Sequence, residues 1–123
     1  MAALDLDALA RGNDDFRREV RTAERSQLVL MTIPPGGEIG DEVHEGIDQL
    51  LVFVDGEAEA ILDGESSTVH AGQAVLVPGG TRHNFRNTGG GPLRLWTVYA
   101  PPEHPAGTVH RTKADADAAE HEH

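Results

Sequence analysis

The sequence contains no cysteine. That absence removes disulfides, thiolate metal sites and cysteine nucleophiles together. Positive charge is also scarce: 10 Lys and Arg stand against 21 Asp and Glu, for a formal net charge of −11. Nucleic-acid backbones and anionic membrane surfaces are bound by clustered Lys and Arg, so neither is expected as a partner. No apolar run approaches the roughly 20 residues of a membrane span. The stretch from Met1 to Asp15 has no basic segment and no long apolar core, so it does not read as a signal peptide. The expectation is a soluble, cytoplasmic protein. Aromatic residues make up 4% of the chain, too few to build an aromatic cage around a ligand.

The 123 residues present are enough for one domain with its own core. Fourteen glycines and seven prolines punctuate short runs of β-branched and apolar residues. Strands are expected over Phe16–Thr22, Ser26–Ile33, Gln49–Asp55, Glu57–Leu62, Ser66–His70, Gln73–Val77, Thr81–Arg86 and Leu93–Tyr99. Asp63-Gly64 is a hairpin signal and Pro78-Gly79-Gly80 a turn. Regular short strands of this kind point to an all-β sandwich or barrel. Residues 1–13 read as a loose helical turn or a flexible segment, and 14–102 as the β domain. Residues 103–123 read as an extension, with Thr112 placed to cap a short polar helix from Lys113 to about Glu120.

Side chains two apart on a strand share a face. Glu42 and His44 therefore point together if their segment is extended. Gln49 shares a face with Leu51 and Phe53, and His83 with Thr81 and Phe85. If these faces line one interior, four polar groups enter an apolar cavity and need partners there. A carboxylate, an amide oxygen and two imidazoles can satisfy one another around a divalent cation. Asp41, Glu45 and Asp48 take the opposite parity and are expected to face water. Arg82 and Arg86 flank His83 on the outward parity, which leaves no evident phosphate clamp facing the cavity.

The spacing of these residues resembles the cupins, small jelly-roll β-barrels with two motifs. The first motif runs Gly, five residues, His-x-His, then Glu, then Gly. Here Gly36 precedes Glu42-Val43-His44 by five residues, Gln49 stands at the glutamate position, and Gly56 follows after six. The second is Gly, five residues, Pro-x-Gly, two residues, His, three residues, Asn, met by Gly72, Pro78, Gly80, His83 and Asn87. The resemblance spans about residues 26–100, with a looser likeness to short chains termed mannose-6-phosphate isomerase-like. It implies one divalent transition metal (Zn, Fe, Mn, Ni or Cu) on Glu42, His44, Gln49 and His83. The usual three His and one Glu become two His, one Glu and one Gln, so the single negative charge moves across the site. Glu42 is either a ligand or a general base beside the metal.

Other histidines are read differently. His121 and His123 form a second His-x-His, but in a polar tail, and are read as no site. His70 is expected on the surface. His104 and His110 are expected either on the surface, across the barrel mouth or against a partner subunit. Met31, Phe53, Phe85, Trp96 and Tyr99 are core or cavity-wall candidates. A small molecule is the expected ligand or substrate, and a homodimer is expected from the apolar run Ser26–Ile33. A non-catalytic binding module and a metal-free structural barrel are the alternatives to an enzyme.

Overall fold

The structure, a computed structural model, describes residues 3–121. His123 lies outside those residues. The elements in chain order are α1 (Leu6–Arg11), β1 (Arg17–Thr22), β2 (Gln27–Ile33), β3 (Asp48–Asp55), β4 (Glu57–Leu62), β5 (Glu65–His70), β6 (Ala74–Val77), β7 (His83–Asn87), β8 (Leu93–Ala100), β9 (Val109–His110) and α2 (Lys113–His121). A six-stranded antiparallel sheet has the order β6-β3-β8-β2-β1-β9, and a three-stranded one β5-β4-β7. Nearly all strand expectations match to within two residues. The exception is β9, two residues long, which exists because Arg17 and Arg18 offer it an edge to pair with.

Alternation along the strands builds the interior. In β8, Leu93, Leu95, Thr97 and Tyr99 point inward, while Arg94, Trp96 and Val98 point out. Leu51 and Phe53 of β3, Val29 and Met31 of β2, Ala58 and Ala60 of β4 and Phe85 of β7 complete one apolar cluster between the sheets. Phe53 and Phe85 meet across it with ring centroids 5.6 Å apart. The apolar end of the barrel is thus filled, and the polar inward residues gather at the other end.

The first strand-to-strand reversals depend on two motif residues. Gly56 has φ +95°, and a Cβ there would lie 3.0 Å from the Pro92 carbonyl oxygen, so the turn between β3 and β4 requires glycine. Asn87 closes β7: its amide donates to the Ile33 and Gly91 carbonyls at 2.9 Å each, and its Oδ1 accepts from Gly89 N at 3.0 Å. That motif asparagine staples a loop and takes no part in the polar end.

The N-terminal stretch read as a loose turn or flexible segment instead forms α1. Asp5 caps it by accepting from Ala8 N. Ala10 is fully buried in a second apolar cluster with Leu30 and Val54, against Val20 and Trp96. Trp96 Nε1 donates to Asp7 at 3.1 Å. Trp96 therefore packs outside the sheet under α1 and not on a cavity wall. The same helix covers Leu30 on the outer face of β2, so part of the apolar run Ser26–Ile33 is buried within the chain. At the C-terminus, Thr112 Oγ1 accepts from Asp115 N and opens α2, as expected from sequence.

Candidate metal centre

Glu42 and His44 lie on the connection between β2 and β3, and backbone pairing aligns that connection with β7. Glu42 N donates to His83 O and His83 N to Glu42 O, both at 2.9 Å, and Gly80 N donates to His44 O at 3.0 Å. The side chains converge as a result. Ligand atoms of Glu42, His44 and His83 all lie within 4.8 Å of one another. The two imidazole centroids are 5.5 Å apart. Asp41, Glu45 and Asp48 are exposed, and Asp41 pairs with exposed Arg82 at 2.7 Å. The parity argument thus sorted the acidic stretch correctly.

Each member has a defined state. His83 is 2% exposed, and its Nδ1 sits 2.9 Å from the Thr81 carbonyl. A carbonyl only accepts, so Nδ1 is the donor, and in the neutral ring Nε2 is then the acceptor. That Nε2 is buried and has no partner. Gln49 is 3% exposed and pairs in register with Tyr99 of β8. Thr97 Oγ1 spends its proton on the Leu50 carbonyl at 2.8 Å, so it must accept from Gln49 Nε2 at 3.1 Å. The amide orientation follows, and Gln49 Oε1 is left buried without a partner. His44 Nε2 is 2.9 Å from Glu42 Oε2, and His44 Nδ1 is 3.6 Å from Glu103 Oε2. The hydrogen bond to Glu42 raises the His44 pKa above its ordinary value, against the opposing effect of burial.

The orphaned acceptor of His83 beside the Glu42 carboxylate and the His44 imidazole is a donor set that suits a divalent transition metal. Gln49 is tied to this end through its register with Tyr99, whose ring lies 6.2 Å from His44. The bond from His83 Nδ1 to the Thr81 carbonyl fixes the orientation of the ring, as such a bond does for an imidazole that holds a metal.

Sequence reasoning missed several neighbours of this cluster. Arg17 opens β1 and is 3% exposed, with Nη1 3.2 Å from His110 Nδ1. Its charge acts on His44, Tyr99, Glu103 and His104. Arg17 thus brings one cation to this end, where its backbone pairs with Met31 of β2 and His110 of β9. Gln27, 1% exposed, gathers the C-terminal extension by donating to the His104 carbonyl and accepting from Glu103 N and His104 N. That grip brings His104 edge-on to Tyr99 at 5.2 Å. Burial and the Arg17 charge push the His104 pKa down to about 3, so its imidazole is neutral. Burial pushes the Tyr99 phenol and the Glu103 carboxyl up. Of the three histidines expected at the surface or the barrel mouth, His104 and His110 thus join the polar end. His70 is exposed, as expected, 3.6 Å from Glu57. Gln27 lies on the inward parity of the apolar β2, a mark of burial and not of function, and Arg17, in the charged strand β1, carries neither mark.

The model of the Cupin_2 family, described as a cupin domain, matches residues 29–99. The chain belongs to the cupins. This cupin is 40% identical over 124 residues to the uncharacterized protein YrkC of Bacillus subtilis (strain 168), covering 95% of this chain and 66% of YrkC. It is 34% identical over 101 residues to the uncharacterized protein L612 of Acanthamoeba polyphaga mimivirus, covering 79% of this chain and 63% of L612. The cupin thus spans about two thirds or less of the length of these curated relatives. Among solved structures, the crystal structure of BH2720 from Bacillus halodurans superimposes with a TM-score of 0.94 at 39% identity, covering 95% of this chain and 93% of that one. A predicted oxalate decarboxylase from Thermotoga maritima gives a TM-score of 0.61 at 25% identity, covering 64% and 69%.

Proposed function

We propose that this cupin holds one divalent transition metal on Glu42, His44, Gln49 and His83 and acts there on a small oxygen-rich molecule. The observation that carries the reading is the unpartnered, buried Nε2 of His83 together with the unpartnered Oε1 of Gln49. Burying both groups without a hydrogen-bond partner in the chain costs stability that a cation would restore. A metal-free barrel, the alternative, calls for Glu42 and Gln49 each bonded to a histidine; Glu42 is, but the Gln49 amide turns to Thr97. When bound, the metal supplies Lewis acidity toward a substrate oxygen. Glu42 is bonded to His44, so it is placed to hold or pass a proton beside that oxygen in an isomerisation, proton transfer or oxygenation.

Untagged protein analysed for metals tests this directly. The expected result is near-stoichiometric transition metal in the wild type and loss in His44→Ala and His83→Ala. Equal, substoichiometric metal in all three would overturn it. A second reading, a binding module without catalysis, is favoured by the capping of this end by Glu103 and His104. It predicts metal retention with no turnover of small hydroxy or keto acids.

The remaining expectations are carried forward with it. We place the chain in the cytoplasm as a homodimer, with no nucleic acid or membrane partner. The acidic charge supports the latter, and no helix among the described residues is long and apolar enough to cross a membrane. For the dimer, support comes from β6, an edge strand on which Leu76 is 63% exposed. Light scattering giving a mass near 13 kDa at micromolar concentration would count against it.

A further inference from the structure

The two imidazoles of the candidate centre are held in different ways. His83 donates from Nδ1 to the Thr81 carbonyl at 2.9 Å, which leaves Nε2 as its acceptor. His44 meets two carboxylates instead. Its Nε2 lies 2.9 Å from Glu42 Oε2, and its Nδ1 lies 3.6 Å from Glu103 Oε2. Nε2 is the nitrogen beside Glu42, so it is the one that can share a cation with that carboxylate. A ligating nitrogen must be free of its proton, and the single proton of a neutral imidazole then belongs on the other nitrogen. For His44 that nitrogen is Nδ1, and the acceptor facing it is Glu103. An imidazole that holds a metal gains orientation and basicity from such a partner.

Glu103 follows the last long strand, and the barrel itself fixes where it sits. Gln27, Tyr99 and Gln49 stand in one cross-strand row over β2, β8 and β3. Gln27 is buried and spends its amide on the C-terminal extension. Its Oε1 accepts from Glu103 N at 3.2 Å and from His104 N at 3.0 Å, and its Nε2 donates to the His104 carbonyl at 2.6 Å. Three bonds from one buried amide pin the backbone from which the Glu103 side chain reaches His44. That side chain is half-buried, and among the described residues His44 is its one ion-pair partner. The 3.6 Å contact is a few tenths of an ångström beyond hydrogen-bond length, a gap that a small turn of the side chain closes.

We infer that Glu103 is a positioning residue of the candidate metal centre, accepting from His44 Nδ1 and so keeping His44 Nε2 free for the cation. The inference rests on the proposed metal reading and gives the C-terminal extension a part in it. Glu103 acts through His44 and is not itself a ligand.

Zinc titration of the untagged full chain at neutral pH tests the role, with NMR of the histidine ring nitrogens in the zinc-loaded protein. Glu103→Ala should weaken zinc binding by about tenfold or more, the effect of removing the partner of a ligating histidine. Glu103→Gln keeps an acceptor without the charge and should fall between Glu103→Ala and wild type. In the zinc-loaded wild type the His44 ring should carry its proton on Nδ1. A carboxylate that did no more than pair with protonated His44 predicts the opposite sign. It would hold the proton against the metal, and its removal would tighten zinc binding. Tighter or unchanged zinc binding in Glu103→Ala therefore overturns the role and leaves the centre standing, as does a His44 proton found on Nε2 in the zinc-loaded wild type. Wild type and His83→Ala binding zinc alike, or neither binding it, overturns the metal reading and this role with it. The metal-free variants should melt near the wild type, because a partly exposed ion pair adds little to stability. Unfolding of both would make Glu103 a structural element and overturn the role as well.

Discussion

Glu42 and His83 exchange both of their backbone hydrogen bonds, at 2.9 Å each, from segments 41 residues apart in the chain. This one antiparallel bridge sets the spacing between the two sequence motifs. It places a carboxylate and an imidazole side by side before any metal arrives. The candidate centre is therefore preorganised by the main chain, and side-chain changes there should alter binding more than folding.

Zinc added to metal-free protein should raise its melting temperature. At a hundredfold excess over the dissociation constant the gain is about 2.7 kcal/mol. His83→Ala should abolish the shift while retaining native circular dichroism. Because the Glu42 bond raises the His44 pKa, protons compete with metal there, and apparent affinity should fall as pH drops through that raised value. An undiminished zinc shift in His83→Ala would remove His83 from the site.

Gln49→Glu should tighten metal binding and weaken the metal-free protein. A carboxylate is a stronger ligand than an amide oxygen, but without a cation it would be a buried charge at a position 3% exposed. The measurements are zinc affinity and melting temperature with and without metal. A lower affinity than wild type would show that Gln49 Oε1 serves another partner.

His104 makes stability depend on acid. Its folded pKa is near 3, below the ordinary 6.5, so the unfolded chain takes up a proton first. The neutral imidazole's contribution is fully present above pH 6.5 and is lost as pH falls toward 3. His44 behaves in the opposite sense: its pKa is raised, so its contribution is present below 6.5 and is lost as pH rises through the folded value. Metal-free wild type should lose more stability between pH 6.5 and 4 than His104→Phe. Parallel curves for the two would contradict the buried, neutral state.

Ala10→Asp should lower stability by roughly 3 kcal/mol, since it buries an unpaired charge beneath α1. Trp96, the single tryptophan, reports on the same contact, and its emission should shift to the red. Unchanged emission and melting would mean that α1 does not seal the outer face of β2.

Much of this protein is determined locally and was legible in the sequence. Strand positions follow from apolar runs bounded by Gly and Pro. The sorting of Glu42, His44, Gln49 and His83 from Asp41, Glu45 and Asp48 follows from the two-residue period of extended chain. The motif glycines follow from turn geometry, and Asn87 from its match to the family's second motif. What the tertiary structure alone decided concerns groups whose environment is set by distant segments. α1 was read as loose because its apolar side is short, and it became a sealed contact only against Leu30 and Trp96. The outward Leu30 of the apolar β2 found its cover in that helix. Arg17, Gln27, Glu103 and His104 carry no local mark of function. They meet because Gln27 hydrogen-bonds the backbone of a segment 76 and 77 residues away, and β9 pairs with Arg17. Periodicity reports which way a side chain points, but the partner it meets there is fixed by long-range pairing, which no local pattern records.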